Sequence, residues 1–330
     1  MRNAMKALAN GTAAMAITLA ATASPVWAQD KVELVYSDTV PETDIRTTTL
    51  RKEFGECLGD GFDFKSYHGA TLFKQGTELT AMQRSNLDMG SLAIFDFYNQ
   101  VPHTTLLGTA YLFRDYDHMR AVMDGDVLAD LYAEIEEKAK VKILANPYIG
   151  TRHVNIKGDK KTMTPADLNG VKLRMPGGEG WQFVGEALGA NPTPLAFTEV
   201  YTALQTGAID GQDNPLPADK AMKFYEVTDQ IILTGHLIAN NQFTISLAKW
   251  NSLNEEQQGK VKECAMQFQN ALDKITLDQE AELVDFFKGE GLDVYEPDKE
   301  AFRSHVLDAY KNSKYSAEWP EGLLDKIDAL

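Results

Sequence analysis

Apolar and polar positions alternate over short stretches, and these are separated by runs with helical spacing. Residues 32–36 read as a strand, a polar stretch with Pro41 follows, and 43–58 carries a helical period. Strands are expected again at 62–67, 86–94 and 141–145, with helices near 77–84, 117–123 and 127–140. This alternation predicts an α/β architecture with largely parallel sheets. A second unit begins near 149–156. Within it Thr164 reads as an N-cap with Pro165 at the first helical position, and 171–174 is a short strand. A helix over 181–188 ends at Gly189. Another, over 198–206 with Thr198 as N-cap, stops at Gly207, whose freedom at positive φ suits the position after a helix. A β-rich run at 238–247 leads back towards the first unit, and a long polar–apolar helix spans 254–288. No low-complexity linker divides the units, so the chain is expected to cross between them more than once.

The first thirty residues set the expected compartment. Arg2 and Lys6 precede an Ala-rich apolar run over 13–23, a break at Ser24-Pro25, and Val26-Trp27-Ala28 before a polar stretch. That is the pattern of a secretory signal peptide over 1–28, cleaved after Ala28. The run is too short and too Thr-interrupted for a membrane anchor, and no later segment is apolar enough to span, so no stable membrane insertion is expected. The net charge of −16, without a basic run, argues against nucleic acid and anionic lipid as partners. It also means that an anionic ligand would need strong local cations. Cys57 and Cys264 either pair in an oxidising compartment or remain as separate buried thiols. No Cys/His cluster has metal-ligand spacing, so neither metal nor cofactor is expected.

Arg174 stands at the end of the 171–174 strand, followed by Met175-Pro176-Gly177-Gly178. Strand ends in α/β sheets are where ligands are held, and the small turn residues let a molecule approach a guanidinium that matches a carboxylate bidentately. The plainer reading is a surface ion pair. Arg152, at the start of the second unit, is either a second anion contact or a structural ion pair. Asn214 precedes Pro215 and is restricted to extended backbone, which fixes the direction of its amide. Phe197 either walls a pocket or staples a helix. An enzyme would have to use Glu199, Asp210 and Asp213 with His68, His103 or His153. No nucleophile elbow, metal triad or phosphate loop accompanies them.

The segments VKLRMP (171–176) and GANPTPLAFTEVYTALQTGAIDGQDNP (189–215) resemble receptors of tripartite ATP-independent periplasmic (TRAP) transporters, of the C4-dicarboxylate-receptor type. The likeness runs from residue 32 to near 290 and is most specific over 168–217. It implies a two-domain periplasmic-binding-protein-like fold with a hinged cleft and a long bracing helix. Residues 29–150 and 240–279 would form one lobe, and 151–239 and 280–330 the other. It implies a monomeric periplasmic receptor that binds a small organic anion and delivers it to TRAP membrane subunits. A receptor feeding a membrane sensor would look the same. By position in the family's motifs, Arg174 would bridge the ligand carboxylate and Arg152 would add a second cation. Asn214 would hydrogen-bond the ligand, and Phe197 would pack on it. Glu199 and Tyr201 would brace their helix. Gln212-Asp213-Asn214 replaces the Glu-Trp pair of a metal-assisted branch, which argues against a metal here. Trp181, in a segment where relatives vary, either stacks on the ligand or packs in the core; with Phe197 it points to a ligand with an apolar or aromatic part.

Overall fold

The computed structural model describes residues 31–330, so the signal-peptide reading of 1–28 lies outside the described residues. Strands β1 (Val32–Ser37), β2 (Phe62–Tyr67), β3 (Met89–Leu92) and β4 (Val141–Ala145) precede the first crossing between sheets. Strands β5 (Tyr148–Ile156), β6 (Lys172–Met175), β7 (Asn191–Pro194), β8 (Gly211–Pro215) and β9 (Gln230–Asn240) follow it, and β10 (Gln242–Ser246) and β11 (Asp293–Tyr295) complete the set. One sheet has the order β2-β1-β3-β10-β4 and the other β11-β9-β5-β8-β6-β7. The chain passes from the first sheet to the second through Asn146 and Pro147, and returns through Asn241 alone.

The sheets are mixed, where largely parallel ones were expected. β10 runs antiparallel to both β3 and β4, and β5 runs antiparallel to β8 and β9. The cause is the crossing itself: β9 continues almost directly into β10, so a strand enters the first sheet without the helical crossover that parallel pairing needs. Most of β9 gave no alternating signal because it is buried in mid-sheet on both faces.

A helix of 35 residues, Glu255–Gly289, spans both sheets. Asn254 caps it, accepting from the Gln257 N–H while the Gln257 side chain accepts from the Asn254 N–H. Its Cys264, Phe268 and Leu272 join the core under the first sheet, and its Leu283 and Phe287 join the core under the second. Two of its carboxylates hold the first crossing. Asp273 accepts from the Tyr148 N–H at 2.7 Å, and Glu280 accepts from the Tyr148 hydroxyl at 2.6 Å and the Thr151 N–H at 2.5 Å. Cys57 and Cys264 are disulfide-bonded, tying the helical stretch 45–58 to this long helix across 207 residues of sequence.

Two local expectations change. Residues Phe197–Glu199 form a 3-10 turn ahead of the helix Val200–Thr206, so Thr198 lies inside the first turn and does not cap it. The tail also divides. Helix Lys299–Lys311 packs with the second sheet, whereas residues 316–328, expected with the second unit, lie against the first. There the Trp319 indole N–H donates to Thr105 Oγ1, and Arg114 donates to the Asp328 carbonyl.

Candidate ligand-binding site

β6 lies between β7 and β8 in the second sheet and carries Arg174 one residue from its end. The chain leaves through Pro176-Gly177-Gly178. Gly178 has φ +102°, a backbone conformation that a side chain would strain. Arg174 is fully buried. Its Nε donates to the Leu195 carbonyl at 2.8 Å and its Nη2 to Gln75 Oε1 at 3.2 Å. The Phe197 backbone N–H donates to the same Gln75 oxygen at 2.8 Å. Two donors therefore converge on one oxygen, with the Phe197 ring centroid 5.8 Å from the guanidinium carbon. Burial pushes Arg174 down to about 9; Asp213 opposes that fall and Arg152 adds to it. The group still carries its charge at neutral pH.

Arg152 on β5 faces Asp213 on β8, two residues along the antiparallel register that pairs Arg152 with Pro215 and Val154 with Asp213. Its Nε donates to Asp213 Oδ2 at 2.7 Å and its Nη2 to Oδ1 at 3.0 Å. Burial pushes the Asp213 carboxyl up, but Arg152 and His236 overcome it and hold the group well below the usual carboxylate range. Trp181 covers this pair. Its ring lies 4.8 Å from the Arg152 guanidinium carbon and 4.9 Å from the Phe95 ring. Asn214, extended before Pro215, donates to Gln212 Oε1.

Arg174, Arg152, Asn214, Phe197 and Trp181 all border one cavity of about 590 Å³ between the two sheets. The crossing residues Pro147 and Asn241 border it too, and the first-sheet side contributes Asp38, Arg46, Gln75, Glu78 and Asp96. Three arginines thus reach the cavity, and their partners separate them. Arg46 is held by Asp44 at 2.8 and 2.6 Å, and Arg152 by Asp213. Among the described residues, Arg174 alone of the three has no carboxylate within ion-pair distance; its partners are two neutral carbonyl oxygens. Arg152 therefore has a structural ion pair and a cavity-facing position together, and Trp181 packs in the core while bordering the cavity.

Sequence reasoning missed the first-sheet wall. Gln75 stands in a loop, Glu78 opens the helix Glu78–Gln83 that the period near 77–84 announced, and Asp96 lies in the 3-10 turn Ile94–Phe97, but no local pattern shows that these residues line the cavity. The residues of the enzyme alternative are engaged separately. His68 bonds Asp38, His103 bonds Glu134, His153 accepts from the Gly235 N–H, and Asp210 accepts from the Lys172 N–H.

Residues 37–316 match the model of the bacterial extracellular solute-binding protein family 7. The chain belongs to that family. A sialic acid-binding periplasmic protein of Vibrio cholerae is 33% identical over 230 residues, 70% of each chain. Among solved structures, a TRAP periplasmic solute-binding protein from Roseobacter denitrificans superposes with a TM-score of 0.89 at 42% identity. The match covers 91% of this chain and 99% of that one, and that protein holds 3-deoxy-D-manno-oct-2-ulosonic acid. A second protein from Roseobacter denitrificans, with bound L-galactonate, gives 0.82 at 28% identity, covering 91% and 98%. These family 7 proteins are solute receptors. Family 7 proteins act outside the cytoplasm, and no helix among the described residues is long and apolar enough to cross a membrane.

Proposed function

We propose that this family 7 protein is the periplasmic receptor of a TRAP transporter and that its cavity holds a small sugar acid by its carboxylate. One observation carries the reading: Arg174 is a fully buried guanidinium facing the cavity, and no carboxylate among the described residues neutralises it. A ligand carboxylate replacing Gln75 Oε1 would receive Arg174 Nη2 and the Phe197 N–H together. Arg152 and Asn214 stand along the same wall as further donors, and the Phe197 and Trp181 rings flank them. The opposite wall, with Asp38, Glu78 and Asp96, offers acceptors suited to hydroxyl groups. That favours a hydroxyl-rich body over the aromatic one that Trp181 and Phe197 suggested in sequence, and agrees with the sugar acids bound by the two Roseobacter proteins.

In this reading the lobes built on the first and second sheets, with residues 316–328 on the first, close about the crossings at Asn146-Pro147 and Asn241. Closure excludes water and strengthens the guanidinium–carboxylate contact in the lower dielectric. The closed single chain then presents its cargo to the membrane subunits. A thermal-shift screen over several hundred organic acids tests the proposal. A true ligand at a hundredfold excess over Kd stabilises by about 2.7 kcal/mol. Melting shifts from uncharged sugars or cations alone would overturn it. Mass spectrometry after incubation separates receptor from enzyme, since a receptor returns its ligand unchanged.

A further inference from the structure

The cavity's inventory of charge bears on which acids it refuses, an inference that rests on the receptor reading above. Four carboxyl groups border the cavity: Asp38, Glu78, Asp96 and Glu199. Asp38 is engaged by the Tyr36 hydroxyl and His68 Nδ1, both at 2.9 Å. Glu78 is only 6% exposed, and the one charged group acting on it is another carboxyl, Asp96. Asp96 accepts a single hydrogen bond from the Ala93 N–H at 2.8 Å, and no cation acts on it. Burial pushes both carboxyls up, Glu78 to about 7 and Asp96 to about 6, as expected for buried acids without a counter-ion. The other two arginines at the cavity, Arg46 on the same wall and Arg152 on the opposite one, are already neutralised by Asp44 and Asp213. One unneutralised cation, Arg174, therefore faces a wall with two uncompensated carboxyls.

A single carboxylate on the ligand is satisfied at Arg174. A second one kept inside the cavity finds no free cation there. It either meets like charge at Glu78 and Asp96 or forces one of them to take up a proton. Hydroxyl groups have no such difficulty, because they donate to carboxylate oxygens. We propose that Glu78 and Asp96 make this receptor selective for monocarboxylic over dicarboxylic sugar acids, by repelling a second carboxylate while accepting hydrogen bonds from hydroxyls. The resemblance to a dicarboxylate-receptor type would suggest the opposite preference. Discrimination of this kind rests on the disfavoured ligand's unpaired charge as much as on the favoured one's contacts.

The test is isothermal titration calorimetry at pH 8, where Glu78 and Asp96 are largely ionised, on wild type, Glu78→Gln and Asp96→Asn. The probes are 3-deoxy-D-manno-oct-2-ulosonic acid and two matched pairs, galactonate with galactarate and gluconate with glucarate. Each pair differs in whether the second terminus is a hydroxyl or a carboxylate. We expect a bound monocarboxylate to exceed its dicarboxylate counterpart at least 100-fold in wild type. Each variant should narrow that ratio at least tenfold, mainly by strengthening dicarboxylate binding. Two separate variants, each checked by thermal melting, guard against one that fails to fold. Equal wild-type affinity for both members of a pair overturns the proposal, as does a ratio unmoved in both folded variants. If no sugar acid binds wild type, the sugar-acid reading itself falls, and the selectivity with it.

Discussion

Replacing Arg174 by methionine keeps a long apolar stem and removes the charge, so it separates the cost of burying a guanidinium from its value to a ligand. The fall from the ordinary guanidinium value to about 9 corresponds to roughly 5 kcal/mol of unfavourable charging, at about 1.36 kcal/mol per pH unit. Against this, the variant loses two hydrogen bonds from a charged donor, to the Leu195 carbonyl and to Gln75 Oε1, which keeps the Phe197 N–H, at about 1.5 kcal/mol each. The balance is about 2 kcal/mol in favour of the unliganded variant, or roughly 4 °C in Tm. In the complex the sign reverses. A carboxylate losing a buried guanidinium partner costs about 2–5 kcal/mol, at least ~30-fold in Kd. Arg174→Met should therefore melt above wild type without ligand and lose most of the ligand-induced shift. Differential scanning fluorimetry with and without the best sugar acid from the screen reads both effects. A variant that melts several degrees below wild type and still responds fully to ligand would refute the reasoning, because Arg174 would then be a structural cation. Arg174→Lys should recover only part of the affinity, since an ammonium lacks the planar fork.

Gln75→Ala removes the protein oxygen that the Arg174 and Phe197 donors share, so sugar-acid affinity by calorimetry should hold or rise by up to ~10-fold; a tenfold loss would show that Gln75 touches the ligand itself. Glu78 has a folded-state pKa of about 7 against 4.5 in the unfolded chain, so the folded protein holds a proton that the unfolded one releases. Its contribution to stability is therefore greatest below pH 4.5, falls as pH rises to about 7, and is flat above. Glu78→Gln should match wild type near pH 4.5 and exceed it by roughly 3 kcal/mol at pH 8 in urea unfolding followed across pH. A constant difference across that range would contradict the assignment. The Cys57–Cys264 bond closes a loop of 207 residues, so reduction or a double Cys→Ser variant should cost about 3–4 kcal/mol and lower Tm by several degrees. An unchanged melt under reductant would mean that the long helix docks without the tether.

Much of the site's second-sheet wall was legible because it is built from local signals. A strand end before Pro-Gly-Gly places Arg174, a following proline fixes Asn214, and Gly207 at φ +73° ends the helix after Phe197. The long helix announced itself through a sustained polar–apolar period over 254–288. The first-sheet wall was not legible. Gln75 meets Arg174 across 99 residues, and Glu78 and Asp96 join the same cavity only because the two sheets face it together.

Chain sequence alone thus determined the alternating elements, the motif that puts a guanidinium at a strand end, and the family that motif belongs to. Periodicity, capping and turn chemistry act over a few residues and can be read in order. Only the tertiary structure decided which arginine remains without a carboxylate. Arg152 finds Asp213 across 61 residues because β5 and β8 pair antiparallel, whereas Arg174 meets only the carbonyl oxygens of Leu195 and Gln75. The strand order, the Cys57–Cys264 bond and the packing of residues 316–328 on the first unit were decided in the same way. Each depends on surfaces brought together from distant parts of the chain, and no local pattern encodes a partner that far away.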